Sequence, residues 1–132
     1  MIWNNISINS KETSWSYTVF RRRDFIDIKF EDEFEAEWTR RGLKDRVITN
    51  EDRYDYINKR LVQSYRNNSL DIHIIPKKRY YITNDILKYN NIFSLMSLEK
   101  NNLLGVEIEN DEIAKTQKSI FDLIWSIGSP VK

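Results

Sequence analysis

The chain has 132 residues, 40% of them hydrophobic and 13% aromatic, and its 21 Lys+Arg against 20 Asp+Glu leave a net charge of +1. That length supports one substantial core, and that apolar fraction excludes a disordered chain. The even charge gives no bulk attraction to nucleic acid or to a membrane surface, and one histidine with no cysteine argues against disulfides, thiol chemistry and zinc.

Residues 1–14 are polar, rich in Asn and Ser, and read as a lead-in to a single α/β domain over 15–132. They lack the basic start and apolar stretch of a secretion signal, and no apolar run reaches the ~20 residues that span a bilayer. A cytoplasmic protein without membrane insertion is expected.

Trp15 to Phe20 is aromatic and β-branched, which predicts a first strand. The basic triplet Arg21-Arg22-Arg23 follows, and its ordinary reading is a solvated edge. From Asp24 to Arg41, Ile26, Phe30, Phe34 and Trp38 recur every four residues and predict one face of a helix. Glu31, Asp32, Glu33, Glu35 and Glu37 are assigned to its solvent side. Gly42 stops the helix.

Leu43 to Thr49 reads as a short buried strand, and Thr49 with Asp52 makes a capping-box pattern for the next helix. Tyr54, Ile57, Leu61 and Tyr65 line that helix, which ends in the turn residues Arg66 to Ser69. Strand, helix, strand, helix is the grammar of a parallel sheet with crossover helices.

The stretch Leu70 to Asp85 predicts two strands, Asp71–Ile75 and Arg79–Thr83, divided by Pro76, Lys77 and Lys78. Further strands are expected at Asn91–Leu98 and Leu103–Glu109. Asn110 or Asp111 then caps a closing amphipathic helix with Ile113, Gln117, Ile120, Ile124 and Ile127 on one face, ended by Gly128 and Pro130. The fold class is therefore α/β: a single mixed, mostly parallel sheet, flanking helices and a C-terminal amphipathic helix.

His73 is the candidate for acid–base work, weighed against the commoner strand histidine that a neighbour satisfies. Lys77, Lys78 and Arg79 form a basic cluster on the following rim, where an anion could be held. No glycine-rich phosphate loop, GxSxG motif or Cys/His pair is present, so no cofactor is expected.

The segment Arg41-Gly42-Leu43-Lys44-Asp45-Arg46-Val47-Ile48-Thr49 resembles part of a phospholipase D-like domain found in archaeal sensory histidine kinases and beside TrmB-type transcriptional regulators. His73-Ile74, Arg79 to Thr83, Glu107 to Asn110 and then Gln117, Ile120-Phe121 and Trp125 keep that family's order over roughly residues 15–130. The resemblance implies a phospholipase D-like half. Catalytic members carry His-x-Lys and, four residues later, Asp, with the histidine forming a phospho-enzyme. Here Ile75 stands where the lysine belongs. Lys78 or Arg79 only approximate it, and Asn84 or Asp85 the acid. Losing that charge costs orders of magnitude in rate, which points away from an enzyme.

The resemblance implies a homodimer, because full phospholipase D folds pair two halves. It also implies an output module or partner protein. The expected role is a non-catalytic sensory or regulatory domain binding a small anionic or polar ligand at the C-terminal strand ends, with no direct contact to nucleic acid. The expected ligand-binding residues are His73, Lys78, Arg79, Asn84, Arg46 and Thr49. The alternatives are a phosphodiesterase or nuclease with His73 as nucleophile, and a protein–protein interaction module.

Overall fold

The computed structural model describes residues 14–19, 28–60, 69–99 and 102–131. The Arg21–Arg23 triplet, Phe25, Ile26, Leu61 and Tyr65 lie outside them, as do the side chains of Phe30 and Phe34. In chain order the elements are β1 (Ser14–Tyr17), α1 (Ile28–Arg40), β2 (Asp45–Asn50), a 3-10 turn (Glu51–Arg53) leading into α2 (Tyr54–Arg60), and β3 (Leu70–Ile75). Then come β4 (Asp85–Tyr89), β5 (Ile92–Glu99), β6 (Asn102–Glu109), α3 (Asp111–Ile127) and β7 (Ser129–Pro130).

One seven-stranded mixed sheet runs in the order β6-β5-β4-β1-β2-β3-β7. The three strands separated by helices, β1, β2 and β3, are parallel. The remaining pairings, β1–β4, β4–β5, β5–β6 and β3–β7, are antiparallel. The parallel grammar of the sequence therefore governs the centre; around it lie the hairpins β4–β5 and β5–β6 and the long-range antiparallel pairs β1–β4 and β3–β7.

Alternation along the strands sends side chains to two faces. Trp15 and Tyr17, Ile48, Ile75 and Val19 meet Phe121 on the α3 face. On the other face Val47 and Ile72 pack with Ile57 of α2, and Leu87, Tyr89 and Met96 pack with Trp38 and Leu43. The register Leu87–Ser16–Val47–Ile72 puts those two clusters on the same side. Helices thus cover both faces of the sheet, with α3 alone over one of them among the described elements.

Gly42 ends α1 with φ +66, donating to the Thr39 carbonyl while Leu43 N–H donates to that of Trp38. This is a Schellman cap, and its apolar contact is Leu43 against Trp38. Glu35 departs from the expected solvent face: it is fully buried, because it lies three residues before Trp38 on the same side.

Arg79–Thr83 is not a strand. Arg79 and Tyr80 N–H groups both turn back to the Pro76 carbonyl, and the Asn50 amide takes the Tyr80 carbonyl and the Ile82 N–H. These bonds claim the N–H groups of Arg79, Tyr80 and Ile82 and the Tyr80 carbonyl, and strand pairing resumes at Asp85. The alternation Asp85-Ile86-Leu87-Lys88-Tyr89, followed by a turn with Asn90 at φ +53, was the readable signal for β4.

Asn110 caps α3 by accepting from Ile113 N–H at 3.0 Å. The helix starts where edge strand β6 ends, and its last turn lies on β3. Seventeen residues span ~25 Å, and the five strand spacings from β6 to β3 span ~24 Å, so α3 bridges the sheet almost from edge to edge. Among the described residues, no helix is long and apolar enough to cross a membrane.

Candidate functional site

The C-terminal end of β1 and the N-terminal end of its antiparallel neighbour β4 meet at one junction. The buried Asp85 carboxylate bridges it, accepting from Thr18 Oγ1 at 3.0 Å and Val19 N–H at 2.9 Å. Thr49 is fully buried beside it, and its hydroxyl donates to the Thr18 carbonyl at 2.7 Å.

Thr49 is therefore not the helix cap that the sequence suggested. The cap position belongs to Asn50, which has no capping bond through its side chain. Asn50 is buried, and its amide donates to the carbonyls of Ile75 at 2.9 Å and Tyr80 at 2.8 Å and accepts from Ile82 N–H at 2.9 Å. One amide thus ties the end of β3 to the loop before β4. Sequence reasoning passed over Asn50 and named Asp85 only as a stand-in for the acid of the family motif. Their position at the ends of apolar runs was the only signal.

The rim above this network carries both signs of charge. Lys77 Nζ lies 2.7 Å from Asp52 and 5.2 Å from the centre of the Tyr81 ring, and its backbone N–H donates to the Glu51 carboxylate. The bond from Asp52 raises the Lys77 pKa. Lys78 and Arg79 are exposed on the turn, and Asn84 is half-buried at the bend before β4.

Tyr17 ends β1 under this loop, with its ring edge-on to that of Tyr80 at 5.4 Å. Its hydroxyl is buried and has no hydrogen-bond partner among the described residues. Burial, then the neighbouring Tyr80 and Asp122, push its pKa well above the usual phenol range.

His73 and Arg46 lie apart from that rim, under α3. The His73 ring stacks on Trp125 with centroids 3.5 Å apart and planes 11° from parallel. Its Nδ1 sits 2.9 Å from the Trp125 carbonyl, which can only accept, so Nδ1 carries the proton. The same carbonyl, in the last helical turn, also accepts from Gly128 N–H at 3.2 Å. The chain's one histidine is thus a helix-end anchor, the commoner of its two readings.

Arg46 reaches Asp122 at 3.3 Å and places its guanidinium 5.3 Å above Phe121 and 5.5 Å above Trp125. Asp122 also accepts from Lys118, and that bond, with the charge of both cations, lowers its pKa. The six residues expected to form one site therefore fall into two groups. Thr49, Lys78, Arg79 and Asn84 belong to the strand-end region, and His73 with Arg46 fastens α3 to the sheet.

No protein-family model matches the chain, and no curated protein is similar to it in sequence. Among solved structures it is similar to TrmBL2, an archaeal chromatin protein whose structure shows a novel mode of DNA binding. The two share 14% identity at a TM-score of 0.68, over 96% of this chain and 48% of that one. The chain thus spans about half the length of TrmBL2.

This finding overturns the expectation that nucleic acid has no place among the partners, since the same fold occurs in a protein that binds DNA. The expectation rested on a net charge of +1, and a whole-chain sum says nothing about a local patch or an attached segment that makes the phosphate contacts. At this level of identity the likeness establishes architecture: the chain has a TrmB-like α/β fold.

Proposed function

We propose that the chain is a non-enzymatic regulatory domain of phospholipase D-like descent that serves a nucleic-acid-bound assembly and takes a small polar ligand at the C-terminal strand ends. The observation that carries the ligand is the Tyr17 hydroxyl, buried beneath the Tyr80 loop and without a partner among the described residues. A buried polar group of this kind calls for an occupant that hydrogen-bonds to it. Lys78 and Arg79 supply exposed donors on the same loop, and Asn84 a half-buried amide at its end. The carboxylates of Glu51 and Asp52 on the rim favour a ligand with donors as well as acceptors over a simple anion.

Two features support the absence of catalysis. Ile75 replaces the lysine of the family motif, and the His73 ring is stacked on Trp125 with one nitrogen committed to a carbonyl. The likeness to TrmBL2 supports the regulatory setting.

The test is a thermal-shift screen of the chain against small polar and anionic metabolites, with duplex DNA measured in parallel by fluorescence anisotropy. A ligand that raises Tm in the parent chain and not in Tyr17→Phe or in the double variant Lys78→Ala/Arg79→Ala is the expected result. A shift that persists in all variants, or a screen with no shift, overturns the ligand site. Hydrolysis of a phosphodiester that is lost in His73→Ala overturns the non-enzymatic reading.

A further inference from the structure

We propose that β6 is the contact through which two copies of this chain join, pairing antiparallel about a two-fold axis at Val106 into one continuous sheet. Among the described residues β6 has a single neighbour, β5, so its outer row of backbone groups is free to pair. The strand is eight residues long and contains neither lysine nor proline, the usual devices that keep an edge from pairing. Leu104, Val106 and Ile108 alternate along it on the α3 face and are 53%, 40% and 37% exposed.

The strand is self-complementary about Val106, which favours a second copy as the occupant. With Val106 on the axis, Leu104 falls opposite Ile108 of the partner subunit on both sides, an apolar cross-strand pair made twice. Glu107 falls opposite Gly105 and Glu109 opposite position 103, so no glutamate faces another. Those two glutamates are the only charged residues of the strand, and this pairing leaves them unopposed. The same symmetry brings Ile108 of the partner subunit, and the start of the helix that follows it, beside the exposed Leu104.

Sedimentation equilibrium of the whole chain, from about 1 to about 100 µM, tests the contact. A dimer is expected, and Val106→Lys, which sets two cations against each other on the axis, raises its dissociation constant by about 100-fold or more. Val106 is exposed within one copy, so circular dichroism of the variant stays that of the parent. Because the chain has no cysteine, Val106→Cys gives an independent reading. Facing Cα atoms in an antiparallel pair are about 4.5–5.5 Å apart, within disulfide range, so mild oxidation links two copies. Lys59→Cys, exposed on α2 over β2 and β3 on the opposite face of the sheet, stays unlinked. A monomer at every concentration, a dimer indifferent to Val106→Lys, or Val106→Cys that fails to cross-link overturns the proposal.

Discussion

The two ends of the sheet are finished differently. At the β3 end the chain returns after α3 and lays β7 against the strand, pairing His73 with Pro130 and Ile74 with Ser129, while Val131 N–H donates to the Ile72 carbonyl. Proline has no donor to offer a further strand, so this edge is closed. Gly128 makes the return possible: a Cβ there would lie 3.1 Å from that of His73. At the β6 end nothing comparable is present among the described elements, and the strand shows three large apolar side chains to solvent. An edge that its own chain seals belongs to the fold. An edge left long, unblunted and apolar belongs to an assembly.

The largest effect is expected where α3 ties the two ends together. Phe121 is fully buried and stacks on Trp15 at 4.7 Å, so Phe121→Ala costs about 3–5 kcal/mol of unfolding free energy in urea titrations. A loss below about 1 kcal/mol would show that α3 does not hold the sheet. Next comes Asn50→Leu, which strands two carbonyls and an N–H in the interior and costs about 3 kcal/mol. Its amide exchange rates identify the region: loosening should be confined to the loop between β3 and β4.

At the closed edge, His73→Ala removes the ring stack and one helix-end bond, an expected loss of about 1–2 kcal/mol. At the open edge, Val106→Lys changes the stability of a single copy by less than about 0.5 kcal/mol. Equal losses at both positions would erase the distinction between the edges.

A smaller, pH-dependent difference is expected beside the open edge. Burial first, then Glu107, pushes the Tyr89 hydroxyl from 10.0 up to about 12. Its folded-state pKa is raised, so the unfolded chain gives up this proton first. Stability present below pH 10 is lost as pH rises through 12. Tyr17 acts in the same direction. Tyr89→Phe should flatten part of that alkaline slope, and an unchanged slope would assign it to other groups.

Local chemistry sufficed for much of this molecule. The Gly42 cap, the Asn110 cap, the span of α3 and the strands on either side of α2 follow from residue spacing and from bonds between near neighbours in sequence. Those interactions are the same wherever the segment sits. The resemblance carried by Arg41–Thr49 and the closing strand and helix was to a phospholipase D-like half; the likeness to TrmBL2 matches only its coarser part, an α/β fold shared with a TrmB-type protein.

What the sequence could not determine was which distant group claims each polar atom. Thr49 reads as a helix cap until Thr18, 31 residues away, takes its hydroxyl. Arg79–Thr83 has the composition of a strand, and Asn50 and Pro76 bind its backbone instead. His73 and Arg46 look like companions of Lys78 and Arg79, yet α3 draws them beneath itself through Trp125 and Asp122. Periodicity and the caps at Gly42 and Asn110 are legible because they depend on neighbours along the chain. Partnership among polar side chains waits on the sheet order and on the path of α3, which only the assembled core sets.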